Sequence, residues 1–380
     1  MLKNLLALSC ALACAHSAWA ADATPATTIT VKIGHVAPLS GAQAAFGKDN
    51  ENGARMAIDD LNAKGIKLGG KTAKFVLVAE DDAADAKQGT AVAQQLCDMK
   101  VNGVVGHLNS GTSIPASKIY HACGLPMISP ASTNPDLTKP GYANVFRLLA
   151  SDSALGAHLA QYAATTLKVK TVAIIDDRTA YGQGVATVFK NTAKQLGIAV
   201  VAEEFTNDKA VDFLSILTSI RAKKPDAIFF GGMDPQAGPM LRQMAQLGMF
   251  KTKFMGGDGL CTEKLAEQAA DAPTLANVYC GEGGVAIGKM PGGQAWKARY
   301  DARFPGAFQI YSPYVYDATM VLANAMQKAG SADPKIYLPF LAKTDYQGVS
   351  AHIQFDSHGE LLHPAFTIST YRNNKKTPIN

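Results

Sequence analysis

Residues 101–135 read VNGVVGHLNSGTSIPASKIYHACGLPMISPASTNP, and this stretch contains one complete unit of the pattern that runs through the chain. Val101–Gly106 and Leu125–Ile128 are short apolar runs of the length that buried strands have. Ser113–Ala122 lies between them, and its apolar residues recur at helical spacing. A strand, a helix and a second strand in this order predict a parallel strand pair joined by a helical crossover.

The same alternation continues on both sides of this stretch. Upstream, it predicts strands at Thr28–Ala37 and Ala73–Ala79 and helices at Ala44–Ala63 and Asp85–Met99. A second series begins after Arg147, and its predicted elements are helices at 152–167, 181–196, 212–222 and 235–247 and strands at 171–175, 198–205, 226–230, 253–256 and 277–281. Two such series predict an α/β protein with two doubly wound lobes, each a parallel sheet with helices on both faces.

The last hundred residues do not form a third series. They predict helices at 314–329 and 334–343 and strands at 351–355 and 365–371, which we expect to complete the two sheets. The chain would then cross between the lobes more than once, through a multi-crossover hinge beside a cleft. This organisation assigns residues 28–149 plus 283–355 to lobe 1 and residues 150–282 plus 356–380 to lobe 2.

Composition and charge exclude several classes of protein. The chain has 380 residues, of which 47% are hydrophobic and 18% charged. This length suffices for two or three domains, and the hydrophobic content excludes an intrinsically disordered chain. The formal net charge of +5 is spread over a long chain without a Lys/Arg-rich block, so no nucleic-acid partner is expected.

The first 20 residues have the pattern of a secretory signal peptide. Lys3 precedes an apolar run over 5–15, and the segment ends in the A-x-A cleavage signal AWA. The run is too short to span a bilayer, so we expect cleavage after Ala20 and export of a soluble protein. A lipoprotein acylated at Cys10 or Cys14 is the weaker alternative, because neither cysteine has a Leu at the third position upstream.

Cleavage leaves the cysteines Cys97, Cys123, Cys261 and Cys280 in the exported chain. An even number of cysteines in an oxidising compartment predicts disulfides. Proximity in sequence favours pairing the first with the second and the third with the fourth, and four buried free thiols are the alternative. No zinc site is predicted, because no two of these cysteines have C-x2–4-C spacing.

Two hydroxyl-rich loops follow consecutive strands of the first predicted sheet. One runs over His107–Ser113 and contains Ser110, and the other runs over Ser129–Pro135 and contains Thr133. Ligands of open α/β sheets bind beyond the carboxyl ends of the strands. Hydroxyls and free N–H groups at a helix N-terminus suit an anion, so the two loops can converge on one carboxylate. For either loop alone, an ordinary helix N-cap is the more common interpretation.

The second predicted sheet carries different groups at its strand ends. The segment GGDG at 256–259 places Asp258 among glycines, where an ammonium group can approach, although a turn residue has the same signature. Tyr181 begins a Gly-x-Gly segment that lacks the third glycine of a dinucleotide site, so no nucleotide cofactor is predicted.

Packing is the more common role for the aromatic cluster at 311–316, and contact with the cleft is the alternative. The motifs of hydrolases, zinc proteases and P-loop enzymes are absent from the sequence, and neither catalysis nor a cofactor is expected.

Seven segments of the sequence resemble, in this order, the periplasmic branched-chain amino-acid binding proteins, which are type I periplasmic binding proteins of ABC importers. They are VAPLSGAQAAFGKDNENGARMAIDDLNAKGI, EDDAADAKQGTAVAQQL, VGHLNSGTSIPASKIY, ISPASTNPDLT, YGQG, FFGGMDPQAG and FMGGDGL. The resemblance covers nearly all of the chain after the signal peptide. It implies the type I periplasmic binding fold, a periplasmic location and a monomer. It also implies that the protein delivers free leucine, isoleucine or valine to an ABC permease complex in the inner membrane, without catalysis.

The resemblance also assigns roles to residues of the first lobe. Ser110 and Thr133 would bind the amino and carboxylate groups of the ligand through hydroxyl and backbone groups. The backbone at Asn109 and Ala131 would assist them. Phe46 would line the pocket for the ligand's side chain.

In the second lobe, the resemblance implies that Asp258 holds the ligand's ammonium group and that Tyr181 closes over the ligand. The position of Met233 is often aromatic in relatives. A methionine is a softer and more adaptable wall, so this position affects side-chain preference.

Three hypotheses for the function differ in their support. A solute receptor of an ABC importer is the leading hypothesis. A ligand-sensing module for an amide or another amino acid is the alternative, because the same fold serves both functions. The signal peptide and the lack of a fused signalling domain in this sequence favour transport, and a secreted α/β enzyme is the least supported.

Overall fold

The computed structural model describes residues 28–270 and 272–379, and the predicted signal peptide lies outside the described residues. The strands are β1 (Thr28–Ala37), β2 (Lys67–Leu68), β3 (Lys71–Asp81), β4 (Gly103–Gly106), β5 (Met127–Ser129), β6 (Val145–Arg147), β7 (Thr171–Asp176), β8 (Ala199–Phe205), β9 (Ala227–Gly231), β10 (Lys253–Gly256), β11 (Val278–Glu282), β12 (Asp345–Gln347), β13 (His352–Gln354), β14 (Thr367–Arg372) and β15 (Lys375–Pro378). The α-helices are α1 (Ala44–Lys64), α2 (Ala86–Asp98), α3 (Ser110–Cys123), α4 (Asp152–Thr165), α5 (Ala180–Gln195), α6 (Leu214–Lys223), α7 (Asp234–Gln246), α8 (Lys264–Gln268), α9 (Gly293–Arg303), α10 (Ser312–Ala329) and α11 (Pro334–Ala342).

The strands form two large sheets, as the two series in the sequence predict. The first has the order β2-β3-β1-β4-β5-β6, and the second has the order β15-β14-β11-β10-β9-β7-β8. In the first sheet only β2 runs antiparallel to its neighbour. In the second sheet the strands from β11 to β8 are parallel, and β14 and β15 join one edge in antiparallel pairing.

Both faces of each sheet are covered, which is the arrangement that defines a doubly wound fold. Along β4, Val104 packs into one hydrophobic cluster and Val105 into another. Along β7, Ile174 and Ile175 likewise enter different clusters. Because successive side chains of a strand point to opposite faces, each sheet is buried between two layers. The continuous apolar runs in the sequence reflect this two-sided burial.

One helix begins earlier than the sequence pattern predicts. The structure starts α3 at Ser110, three residues before the predicted Ser113. The segment Ser-Gly-Thr-Ser has low helix propensity, so periodicity alone does not include it. Asn109 precedes the helix with extended backbone angles, φ −81° and ψ 139°, and its side chain makes no capping bond. Ser110 therefore stands at the first helical position, where backbone N–H groups point outward.

The C-terminal part of the chain completes one sheet and only covers the other. The prediction for 365–371 is confirmed, since β14 pairs antiparallel with β11 of the second sheet. The prediction that 351–355 completes a sheet is wrong. β13 pairs with β12 in a separate two-stranded ribbon, and the hydrogen-bonding groups of β13 are used there. The turn that follows lies against β6, where Gly359 O accepts a hydrogen bond from Arg147 N at 2.9 Å.

The four cysteines meet in the pairs that sequence proximity favours. Cys97 and Cys123 have their Cα atoms 6.3 Å apart, and Cys261 and Cys280 have theirs 5.3 Å apart. Both separations suit a disulfide. Among the helices of the described residues, none combines the length and apolar content needed to cross a bilayer.

Candidate functional site

The strand ends of the two sheets meet at a small cavity. Its walls consist of Leu108, Asn109, Ser110, Ala131, Tyr181, Met233 and Tyr311, and they lie close together. The loops after β4 and β5 supply one side of this cavity, and α5 and the loop after β9 supply the opposite side. Five of the eight residues predicted as ligand-binding line the cavity directly.

The first side of the cavity presents hydroxyl groups and a helix N-terminus. Ser110 is 1% exposed, and its Oγ accepts a hydrogen bond from Asn134 N at 3.2 Å. Thr133 is fully buried, and its Oγ1 makes no hydrogen bond of ordinary geometry to the described residues, although it lies near enough to Asp152 to lower the pKa of that carboxyl. A buried hydroxyl without a partner is costly, so this atom is available to a bound group. The first N–H groups of α3 add donors that favour a negative charge.

A buried arginine holds the loop that carries Ala131 and Thr133. The Arg147 side chain is fully buried and donates to Ser132 O at 3.1 Å and to Asn134 O at 2.9 Å. Its charge is balanced by Glu360, 2.6 Å away, in the turn that lies against β6. This ion pair orders the loop around Thr133 without reaching the cavity.

The opposite side of the cavity is built around Asp258, which is 1% exposed. Asp258 stands between two glycines whose lack of a side chain allows close packing. A Cβ at Gly257 would lie 2.7 Å from the Tyr181 hydroxyl, and one at Gly259 would clash with the Met233 sulfur. The Gly-Asp-Gly segment therefore lets Tyr181 and Met233 pack directly against the backbone beside the carboxylate. Tyr181 Oη accepts a hydrogen bond from Gly259 N at 3.0 Å.

Two buried carboxylates lie together behind the cavity. Asp258 Oδ2 and both carboxylate oxygens of Asp152 have no hydrogen-bond partner in the described part of the chain. Burial raises the pKa of Asp258 to about 6, against hydrogen bonds from Tyr181 and Tyr311 that lower it. Burial also raises the pKa of Asp152 well above its usual range, and repulsion by Asp258 adds to this effect. The Arg147 charge lowers the pKa of Asp152 in part but makes no hydrogen bond to either carboxylate, so an ammonium group would supply the positive charge in direct contact.

An aromatic wall completes the cavity on the side of the first sheet. The rings of Phe46 and Tyr311 pack with centroids 6.0 Å apart. Asp49, fully buried on α1, accepts backbone hydrogen bonds at Oδ2 from Ile310 (3.3 Å), Tyr311 (3.1 Å) and Ser312 (3.1 Å). Because Asp49 and Phe46 lie on the same helix, this carboxylate fixes Tyr311 relative to Phe46.

The structure brings the eight predicted residues together in two layers. The cavity wall contains Asn109, Ser110, Ala131, Tyr181 and Met233. Phe46, Thr133 and Asp258 lie in the layer behind this wall, each at most 1% exposed.

Two residues at this position are not among the eight predicted site residues, although contact with the cleft was the alternative interpretation for Tyr311. Asp152 has the signature of an ordinary acidic residue in the first turn of α4, so its local sequence contains no sign of a site. Tyr311 belongs to the aromatic cluster for which packing was the favoured role. The structure instead places Tyr311 in the cavity wall, while Tyr314 and Tyr316 are packed in the hydrophobic clusters.

Comparison with known proteins agrees with this architecture. Residues 30–375 match the family described as periplasmic binding protein, and the chain belongs to this family. An amino acid binding protein of Pseudomonas aeruginosa is 36% identical over 87% of each chain. A Leu/Ile/Val-binding protein homolog of Brucella abortus is 35% identical, again over 87% of each chain.

A solved structure shows the same fold. The branched-chain amino acid transporter substrate binding protein LivJ of Streptococcus pneumoniae, in complex with isoleucine, superimposes with a TM-score of 0.83. It is 28% identical, and the match covers 92% of this chain and 99% of that one. The fold class and family predicted from the sequence are thus confirmed, and the chain is a binding protein and not an enzyme.

Proposed function

We propose that this protein binds the zwitterion of leucine, isoleucine or valine between its lobes and delivers it to an ABC importer. The observation that carries the proposal is the buried carboxylate pair of Asp152 and Asp258, to which no cation of the described residues is hydrogen-bonded, across the cavity from Ser110 and the start of α3. A site that needs a cation on one side and offers anion-binding groups on the other matches an α-amino acid. The names of the relatives support the same ligand class.

Each part of the ligand then has a set of partners. The ammonium group lies between Asp258 and Asp152 and donates to Thr133 Oγ1. The carboxylate accepts from the Ser110 hydroxyl and from backbone N–H groups of the loop at Asn109 and the start of α3.

The aliphatic side chain of the ligand contacts an apolar surface of Tyr311 and Met233, and Phe46 packs against Tyr311 from behind. Ala131 and Tyr181 close the remaining sides. Met233 adapts its shape to leucine, isoleucine or valine more readily than a rigid ring would. This wall therefore sets the preference among aliphatic ligands.

Ligand binding is coupled to closure of two lobes. We assign residues 28–149 plus 283–355 to lobe 1 and residues 150–282 plus 356–380 to lobe 2, with the exception of the turn at Gly359 and Glu360, which packs against β6 of lobe 1. Ser110 and Thr133 then belong to one lobe and Asp258 and Tyr181 to the other, so the full set of partners exists only when the lobes meet. We propose a monomer as the working unit.

The family implies a periplasmic location, and we propose export by a signal peptide that is cleaved after Ala20. In that compartment Cys97 with Cys123 and Cys261 with Cys280 form disulfides. The partner that receives the ligand is an ABC permease complex in the inner membrane.

Calorimetric titration of the ligand-stripped protein tests the proposal. Unfolding and refolding removes any amino acid that copurifies, and the twenty amino acids and several amides are then titrated in turn. Binding confined to aliphatic amino acids supports the proposal. Binding of an amide with no response to leucine, isoleucine or valine contradicts it and favours the sensing alternative.

A further inference from the structure

We propose that Asn134 latches the two lobes in the closed state, and that position 184 is glycine because the latch leaves no room for a side chain. The inference rests on the proposed function, in which closure retains a ligand. Asn134 follows Thr133 in the loop after β5 of the first sheet. Gly184 lies on α5, which packs against β7 and β9 of the second sheet.

The side chain of Asn134 is held at both ends. Its Nδ2 donates to Ala180 O at 2.6 Å, across the boundary between the sheets. Its Oδ1 accepts from Asp136 N at 2.8 Å within its own loop. Only the NH₂ end of an amide can donate to a carbonyl, so these two bonds also fix which way the amide points. The side chain is 6% exposed, and water cannot easily replace either bond.

Gly184 faces this amide directly. A Cβ at position 184 would lie 2.6 Å from Asn134 Nδ2 and 3.3 Å from Asn134 Cγ. The next atom near it is Asp152 Oδ2, at an ordinary contact distance of 3.9 Å. A side chain at 184 would therefore conflict with Asn134 and with no other described residue. The amide could move away only by giving up its bond to Ala180.

The position of this glycine within its helix supports a role in closure. Gly184 is the fifth residue of α5, and alanine is a better helix former than glycine at such a position. The fold of the second lobe alone would thus favour alanine. The contact with Asn134 accounts for the glycine, and this contact lies between the lobes.

The latch acts on affinity without touching the ligand. When the lobes separate, the bond between Asn134 and Ala180 breaks, and both groups bind water. When they close, the bond forms beside Thr133 and stabilises the state that encloses the ligand. The main effect is on the rate at which the ligand leaves.

Four variants test the latch: Asn134→Ala, Gly184→Ala, the double variant, and Gly288→Ala as a matched control. Gly288 is exposed, and a Cβ there would meet only the end of a glutamine side chain at 3.9 Å. Leucine, isoleucine and valine are titrated by calorimetry, and dissociation rates are measured by stopped flow. We expect each single variant of the latch to bind about tenfold more weakly, through faster dissociation. Gly288→Ala should bind like the original protein.

The double variant separates a shared contact from two independent effects. If both substitutions remove the same bond, the double variant binds about as well as either single variant. An additive loss of about a hundredfold overturns the proposal, as does unchanged affinity in either single variant. The far-ultraviolet circular dichroism of ligand-free Gly184→Ala should equal that of the original protein, which excludes general damage to α5.

A second measurement keeps the latch testable if the proposed function is wrong. Failure of the original protein to bind any of the three amino acids would refute the function. Small-angle scattering of the ligand-free proteins then addresses closure alone. A larger radius of gyration in the three latch variants than in the original protein and in Gly288→Ala supports the latch, and equal radii overturn it.

Discussion

Replacing Asp258 by asparagine should change ligand affinity and protein stability in opposite directions. The substitution keeps the shape of the side chain and removes its charge. In the ligand-bound protein it deprives a buried ammonium group of its counter-charge. Loss of one partner of a buried, hydrogen-bonded charge pair costs about 2–5 kcal/mol, which corresponds to roughly 30- to 5,000-fold weaker binding.

The stability effect follows from the raised pKa of the same group. Burial raises the pKa of Asp258 from 3.8 to about 6, so the folded protein retains a proton that the unfolded chain releases. The free energy of unfolding therefore falls as the pH rises from about 4 to about 6 and stays lower above that range. A difference of roughly two pKa units corresponds to about 3 kcal/mol at neutral pH. The Asp258→Asn variant should recover up to this amount at pH 7 and nothing below pH 4.

Calorimetry for leucine binding and urea unfolding of the ligand-free protein at pH 7 measure the two effects together. Asp317→Asn is a matched control, because Asp317 is fully buried and its pKa is likewise raised to about 6 by burial. Its oxygens, however, accept hydrogen bonds from Val349 N (2.9 Å) and Ser350 N (2.8 Å). The control should lower stability and leave affinity unchanged. Unchanged affinity of Asp258→Asn, or weaker binding accompanied by lower stability, would refute our reasoning.

Three further predictions concern other parts of the molecule. As the pH is lowered through 6, affinity for leucine should decrease, because Asp258 must release its proton to hold an ammonium group. The decrease is at most about tenfold per pH unit for each proton taken up. An affinity that stays constant between pH 5 and 7 would contradict this. Ser110→Ala should weaken binding by about 1–3 kcal/mol if its hydroxyl donates to the ligand's carboxylate. An equal loss of melting temperature without ligand would identify Ser110 as a structural residue instead. Cys97→Ser should lower the free energy of unfolding by about 3.5 kcal/mol, from the loop of 26 residues that the bond to Cys123 closes. With reductant present, which opens both disulfides in the original protein, the variant and the original protein should have the same urea midpoint. Four alkylated thiols in the original protein without reductant would disprove both disulfides.

The sequence pattern predicted the elements of the two sheets closely because their formation depends on local chemistry. Buried strands such as β1 and amphipathic helices such as α1 show their periodicity in a short window of sequence. The sequence also predicted hydroxyl-rich loops at two strand ends, and the structure places Ser110 and Ala131 of these loops in the wall of one cavity. The prediction that β13 completes a large sheet was wrong, because β13 pairs with the short strand β12 instead. Periodicity within one segment does not reveal which strand will be its partner.

The contact between Phe46 and Tyr311 in the aromatic wall could not be predicted from the sequence pattern. Phe46 and Tyr311 lie far apart in the chain, and each alone has the signature of a packed core residue. Their contact depends on the buried carboxylate of Asp49, which holds the start of α10 against α1. Periodicity records how one element faces its surroundings and contains no information about which distant element will lie there.

The chain's own pattern thus specifies two α/β lobes, their strand ends and the chemical groups found there. The assembly of those groups across the lobes depends on how the folded chain brings the lobes together. Asp152 becomes part of the site because folding buries it beside Asp258, where neither carboxylate can be solvated. Asn134 and Gly184 become partners for the same reason, since a hydrogen bond and a steric limit act over a few ångströms in space and are independent of separation along the chain.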